Sequence, residues 1–147
     1  MAIATITDGE DALIGALEAL KTVDDKKLFA IVESIGRRDA PAPLAFPAAY
    51  IYFLFDRRAQ GAPRPVFDRN FEILILNKNL RGERQAAQDT YGLIEASRDA
   101  VIGKDFGLIG MSRFECTGIQ IVDYEGGVIA YTLGLTAKAY LPVPGTA

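Results

Sequence analysis

Few side chains in this sequence stand in company that would let them do chemistry. Asp105-Phe106-Gly107 spells the metal-binding triplet of protein kinases. It lacks the catalytic loop, the strand lysine and much of the chain length that triplet needs. Gly103-Lys104 is followed by Asp105, not Ser or Thr, and has no upstream glycine at the right spacing, so it is no P-loop. Gly107 and Gly110 form no Gly-x-Gly-x-x-Gly fingerprint. Gly126-Gly127 suits the positive φ angles of a hairpin turn better than a phosphate cradle.

The remaining candidates fare no better. Asp24-Asp25 would need burial or a charged neighbour to work as an acid/base pair, and their surroundings read as a solvated turn. Ser97 and Ser112 have neither a histidine partner nor a nucleophile elbow. The chain contains no histidine, which removes the commonest general base and the commonest metal ligand. Cys116 is alone, so no internal disulfide can form, and among strand residues it reads as a small buried hydrophobe. Tyr50, Tyr52, Tyr91, Tyr131 and Tyr140 read as core or sheet face, and Tyr124 as exposed at a hairpin tip. The expectation is a non-enzyme: no catalytic, cofactor-binding or metal-ligating residue.

Composition sets the class. A chain of 147 residues, half of them hydrophobic and 24% charged, is one ordinary globular domain with a sizeable core. No apolar run reaches the ~18 residues of a membrane-spanning helix. The start Met1-Ala2-Ile3-Ala4-Thr5 has no basic region or apolar core of a signal peptide, so the expectation is a soluble protein that stays where it is made. The net charge of -3 is unevenly spread. Asp56–Arg84 holds seven basic residues (Arg57, Arg58, Arg64, Arg69, Lys78, Arg81, Arg84) against four acidic ones (Asp56, Asp68, Glu72, Glu83). That segment is +3 and the rest -6. It reads as a solvated loop and strand edge or as a polar contact surface, and the excess is too small for a dedicated DNA-binding domain.

The elements come next. Thr7 and Glu10 have capping-box spacing ahead of Leu13, Ile14, Leu17 and Leu20, which predicts an amphipathic helix over Asp8–Lys21. Lys27–Ile35 fits a helical face but is short and β-rich, and is taken as a strand. Gly36 to Pro47 reads as a stiff loop with Pro41, Pro43 and Pro47. Ala48–Phe55 is apolar enough for a sheet interior. A polar loop Arg57–Pro65 joins it to an antiparallel partner, Val66–Asn77. Glu83–Ile102 is a second helix with Ala87, Tyr91, Ile94 and Val101 on one face.

The last third reads as one long hairpin. Arg113–Val122 and Val128–Leu141 are its strands and Asp123–Gly127 its turn. Ile129, Tyr131, Leu133 and Leu135 alternate with smaller or polar residues, the period of a half-buried strand. The second strand is long for a small domain, so its surplus reads as an exposed edge available for assembly.

This order of elements resembles the tail-terminator (tail-completion) proteins of long-tailed bacteriophages, particularly a Mu-like prophage group of similar length. The resembling stretches are Asp11–Lys21, Leu28–Gly36, Pro47–Phe53, Phe71–Leu76, Gln85–Val101 and the closing hairpin. The resemblance lies in pattern and element order, and the loop Arg37–Phe46 departs from it. It implies an α/β (α+β) fold, with an antiparallel or mixed sheet of four to five strands and two helices on one face. It further implies a homohexameric ring in the virion tail, made in the host bacterial cytoplasm. Such a ring caps the tail tube, ends tube polymerisation and meets the head-tail connector, and in some tails the sheath. DNA only passes through it. The rival reading is a small non-enzymatic α/β binding or regulatory module.

Overall fold

A computed structural model describes residues 3–36, 43–58 and 65–140. The first helix, α1, spans Ile6–Glu18. Its start lies two residues before the predicted one, because Thr5 and Asp8 make the capping box in place of Thr7 and Glu10. Thr5 Oγ1 accepts from the Asp8 amide at 3.1 Å, and Asp8 Oδ2 accepts from the Thr5 amide at 2.8 Å. The helix also ends early. Lys21 lies beyond it in a tight turn, 3.5 Å from Asp25, which takes a φ of 61°.

Strand β1 covers only Ile31–Ser34 of the predicted Lys27–Ile35. It runs parallel to β2 (Ala48–Arg58), pairing from Ile31↔Ala48 to Ser34↔Ile51. Before Pro47 there is no β2 for it to pair with, so Phe29 leaves the ladder and plugs the core instead. β2 outruns its predicted end. After an irregularity between Phe53 and Phe55, it continues antiparallel to β3 (Val66–Lys78) through Asp56↔Arg69 and Arg57↔Asp68. The predicted loop thus loses Arg57 and Arg58 to the strand, and its middle, 59–64, lies outside the described residues. Residues 37–42 of the stiff loop and Leu141 also lie outside them.

Helix α2 spans Glu83–Val101, closely as expected. The hairpin forms from β4 (Glu115–Glu125) and β5 (Val128–Tyr140). The ladder runs on through Asp123↔Ala130, Tyr124↔Ile129 and Glu125↔Val128. The turn therefore shrinks from the expected five residues to Gly126-Gly127, with φ angles of 60° and 79°. Glycine meets both positive angles without strain.

The sheet order is β1-β2-β3-β5-β4, with one parallel and three antiparallel pairings, a mixed five-stranded α+β fold. This overturns the expectation that β5 offers a free edge. β3 matches its length and pairs with it from Val66↔Tyr140 to Lys78↔Val128, while β4 takes its other side as far as Thr136 and Met111 bridges to Ala139 beyond. The surplus length of β5 is absorbed by its own sheet.

Both helices lie on one face. Leu13 and Leu17 of α1 and Leu93, Ile94 and Val101 of α2 share a core with Ala49, Ile51, Phe71, Ile73, Ile75, Leu133 and Leu135. Leu17 is 0% and Ile94 4% exposed, as their helical stripes require. The opposite face is dry over half its width: Tyr50, Tyr52, Leu74, Leu76 and Ala130 are buried, with Phe46 and Ile35 packed on them.

Candidate assembly surface

Several of the residues weighed for chemistry make contacts within the fold. Asp105 Oδ1 accepts from the Gly107 amide at 2.9 Å, closing a turn that sets Phe106 against Phe114. Ser97 is buried and donates back to the Leu93 carbonyl at 2.7 Å. Ser112 accepts from the Lys138 amide at 2.8 Å and fastens the connector to β5. Gly103 and Gly110 take positive φ angles in that connector. Cys116 is half-buried on β4. Among the described residues no three His, Cys, Asp or Glu side chains gather as a metal site, and no helix is long and apolar enough to cross a membrane. Of the tyrosines, Tyr50 and Tyr52 are core, Tyr91 and Tyr140 are exposed, and Tyr124 is half-buried.

Among the described residues, and besides the short edge strand β1, the fold leaves two stretches of sheet edge open. β4 is the first. Nearly all its residues are exposed, including Ile119 at 39% and Ile121 at 48%. α2 lies over β3 and β5, and β4 reaches past the helical layer. Its only charges are Glu115, Asp123 and Glu125. Irregularities at Cys116/Gly118 and Ile121/Asp123 break its ladder and leave a regular stretch, Gly118–Ile121, between them.

The second edge is the distal half of β2. β1 covers only Ala48–Ile51, so Tyr52–Arg58 has no strand on its outer side among the described residues. Leu54 through Arg58 are exposed. The Arg57 guanidinium sits 5.4 Å from the Phe55 ring centre, a cation–π distance. Asp56 is engaged inward, 3.6 Å from the buried Arg69. The edge therefore presents Arg57 and Arg58 as its outward charges.

Sequence reasoning missed this edge by ending β2 at Phe55. The signal was present: Asp56-Arg57 and Asp68-Arg69 mirror each other across the connection, and opposite charges set face to face stabilise an antiparallel pair.

Between the edges, on the face away from the helices, lies an open groove of about 700 Å³. Arg57, Asp68, Asn70, Arg113, Glu115 and Lys138 line it. Charges of both signs are spread along its walls. The arrangement suits contact with a polar macromolecular surface better than turnover of a small substrate.

No protein-family model matches the chain, and no curated protein matches it in sequence. Its fold is similar to that of a chain from a solved structure described as "Virion of native gene transfer agent (GTA) particle". The TM-score is 0.60 at 17% identity, over 90% of this chain and 94% of that one. At that identity the likeness establishes the fold.

Proposed function

We propose that this chain is a structural protein of a phage-like virion, a single tail-terminator-like domain that forms a ring on the end of the tail tube. The ring ends tube polymerisation and presents its other face to the head-tail connector. It is homohexameric, sits in the virion tail and is made in the bacterial cytoplasm. Its partners are its own copies, the tail tube protein and, in a contractile tail, the sheath. DNA passes through without being read, and the chain is not an enzyme.

One observation carries the reading: the fold match to a virion particle chain runs almost end to end on both sides. The element order that resembles tail terminators is independent support. So are two sheet edges on opposite sides of the sheet that are unpaired among the described residues, which suit head-to-tail contacts that close into a ring.

The rival reading, a binding module, has the polar groove in its favour. Mass in solution separates them. Sedimentation of the chain alone and with its tail tube protein is expected to give a hexamer in at least the second case. A chain that stays monomeric with its tube protein present would end the ring reading.

A further inference from the structure

We propose that the ring closes by sheet extension: the β4 edge of one copy pairs with the distal β2 edge of the next. This inference rests on the ring reading and names the contact that makes it.

Charge chooses the occupant. β4 carries Glu115, Asp123 and Glu125 and no basic residue. Two β4 edges laid together would set acid against acid, which destabilises a strand pair. The β2 edge offers Arg57 and Arg58, with Asp56 drawn inward by Arg69. A continued sheet keeps its faces, and Arg57 shares one with the β4 acids, while Arg58, paired with Phe67, lies on the helix face. Glu115, Asp123 and Glu125 all pair with β5 residues of the groove face (Thr136, Ala130, Val128). Arg57 lines the same groove and pairs with Asp68 on that face.

Length and shape agree. The bulges confine regular β4 to Gly118–Ile121. The bulge in β2 leaves Phe55–Arg58 as its regular outer stretch. Two four-residue stretches make a short ladder, which the β4 acids flank: Glu115 lies before it and Asp123 and Glu125 after it, so they act on the arginines as neighbours and not as opposite partners. Bulged edges resist indiscriminate pairing, so the contact is specific and weak per interface, and a ring adds several. Ile119, Ile121, Leu54 and Phe55, all exposed in the single chain, lose water in the contact.

The edges lie on opposite sides of the same sheet, so the test is an exchange of charge. One variant is Asp123→Lys with Glu125→Lys; the other is Arg57→Glu with Arg58→Glu. Each alone is expected to raise the concentration for half-assembly by on the order of tenfold or more, in the same mixture in which the wild type forms rings. Mixed one to one, they restore assembly, because each variant's altered edge now complements the other's. Rings from either variant alone at wild-type concentration would overturn the edge pairing and leave the ring reading standing. So would two folded variants that fail to assemble when mixed. A wild type that stays monomeric with its tube protein overturns both.

Should either charge variant fail to fold, as its melting curve would reveal, Gln120→Cys with Arg57→Cys in a Cys116→Ser background replaces it. Mild oxidation of the assembled wild-type-like ring then gives a ladder of linked multimers; each single-cysteine variant alone stays unlinked, and the two mixed stop at dimers. Rings that oxidise without a ladder count against the pairing.

Discussion

A methyl group on Gly134 would strike the hydroxyl of Thr117. Thr117 is the residue that β4 carries unpaired between Cys116 and Gly118, and its side chain folds over β5 at the place where Gly134 stands. The bulge and the glycine are one device. Gly134→Ala is expected to cost about 1–3 kcal/mol of stability, and Thr117→Ala to recover most of that. Denaturant melts of the four variants give the coupling. Effects that add within about 0.5 kcal/mol would refute it.

Arg69 ties three segments together. Its Nη1 donates to the Ala4 carbonyl at 2.6 Å, and its Nε lies 3.6 Å from Asp56. The Ala4 amide in turn donates to Ile109 at 2.8 Å. Arg69→Met keeps the bulk and removes the charge-assisted bond, at an expected cost of about 1.5–3 kcal/mol. Amide exchange at Ala4 is expected to rise with it. An unchanged exchange rate there would mean the tether carries no load.

Thr136 is opposite Asn70 on one side and Glu115 on the other. A proline there removes a donor from an interior strand whichever way its amide points. Thr136→Pro is therefore expected to unfold the chain, at about 3 kcal/mol or more, instead of sparing the fold and loosening an assembly. A cooperative melt close to that of the wild type would contradict the strand order.

Alkaline stability follows from two phenols. Burial, then Glu33, raises the Tyr50 pKa above its ordinary 10.0. Burial, then Tyr91 and Glu83, does the same at Tyr131. The unfolded chain loses these protons first as pH rises. Their contribution is whole below pH 10.0 and is lost as pH climbs through the higher folded values. Urea midpoints across an alkaline series are expected to hold level and then fall. In Tyr50→Phe with Tyr131→Phe the fall is shallower. An equally steep fall would put its origin elsewhere.

The long periodic segments were legible from sequence. The stripe of Ala87, Ile94 and Val101 defines α2, and alternation through Phe71, Ile73 and Ile75 defines β3. Where local signals compete, the reading slipped. Thr5 and Thr7 are both plausible caps, and the choice falls to Asp8, whose carboxylate reaches back to the Thr5 amide. The turn at Gly126-Gly127 looks like five residues in sequence because Asp123, Tyr124 and Glu125 are polar, and an exposed edge strand is polar too. The place of β5 was hidden for a different reason. Alternation says which face of a strand is buried and nothing about which strand lies beside it. The two open edges depend on that strand order, so they were out of reach until it was known.

The strand order also puts the chain at odds with its own synthesis. Lys78 ends β3, and Val128, where its partner begins, lies about fifty residues later. At ordinary translation rates that gap lasts roughly 3–10 s. Throughout it, β3 has β2 on one flank and nothing on the other, and Phe71, Ile73 and Ile75 lack Leu135, Leu133 and Tyr131 beside them. The sheet is closed from the middle, by the last of the described strands to leave the ribosome. A nascent chain held by a chaperone over those seconds should reach the folded state in higher yield than one left exposed to its siblings on the same message.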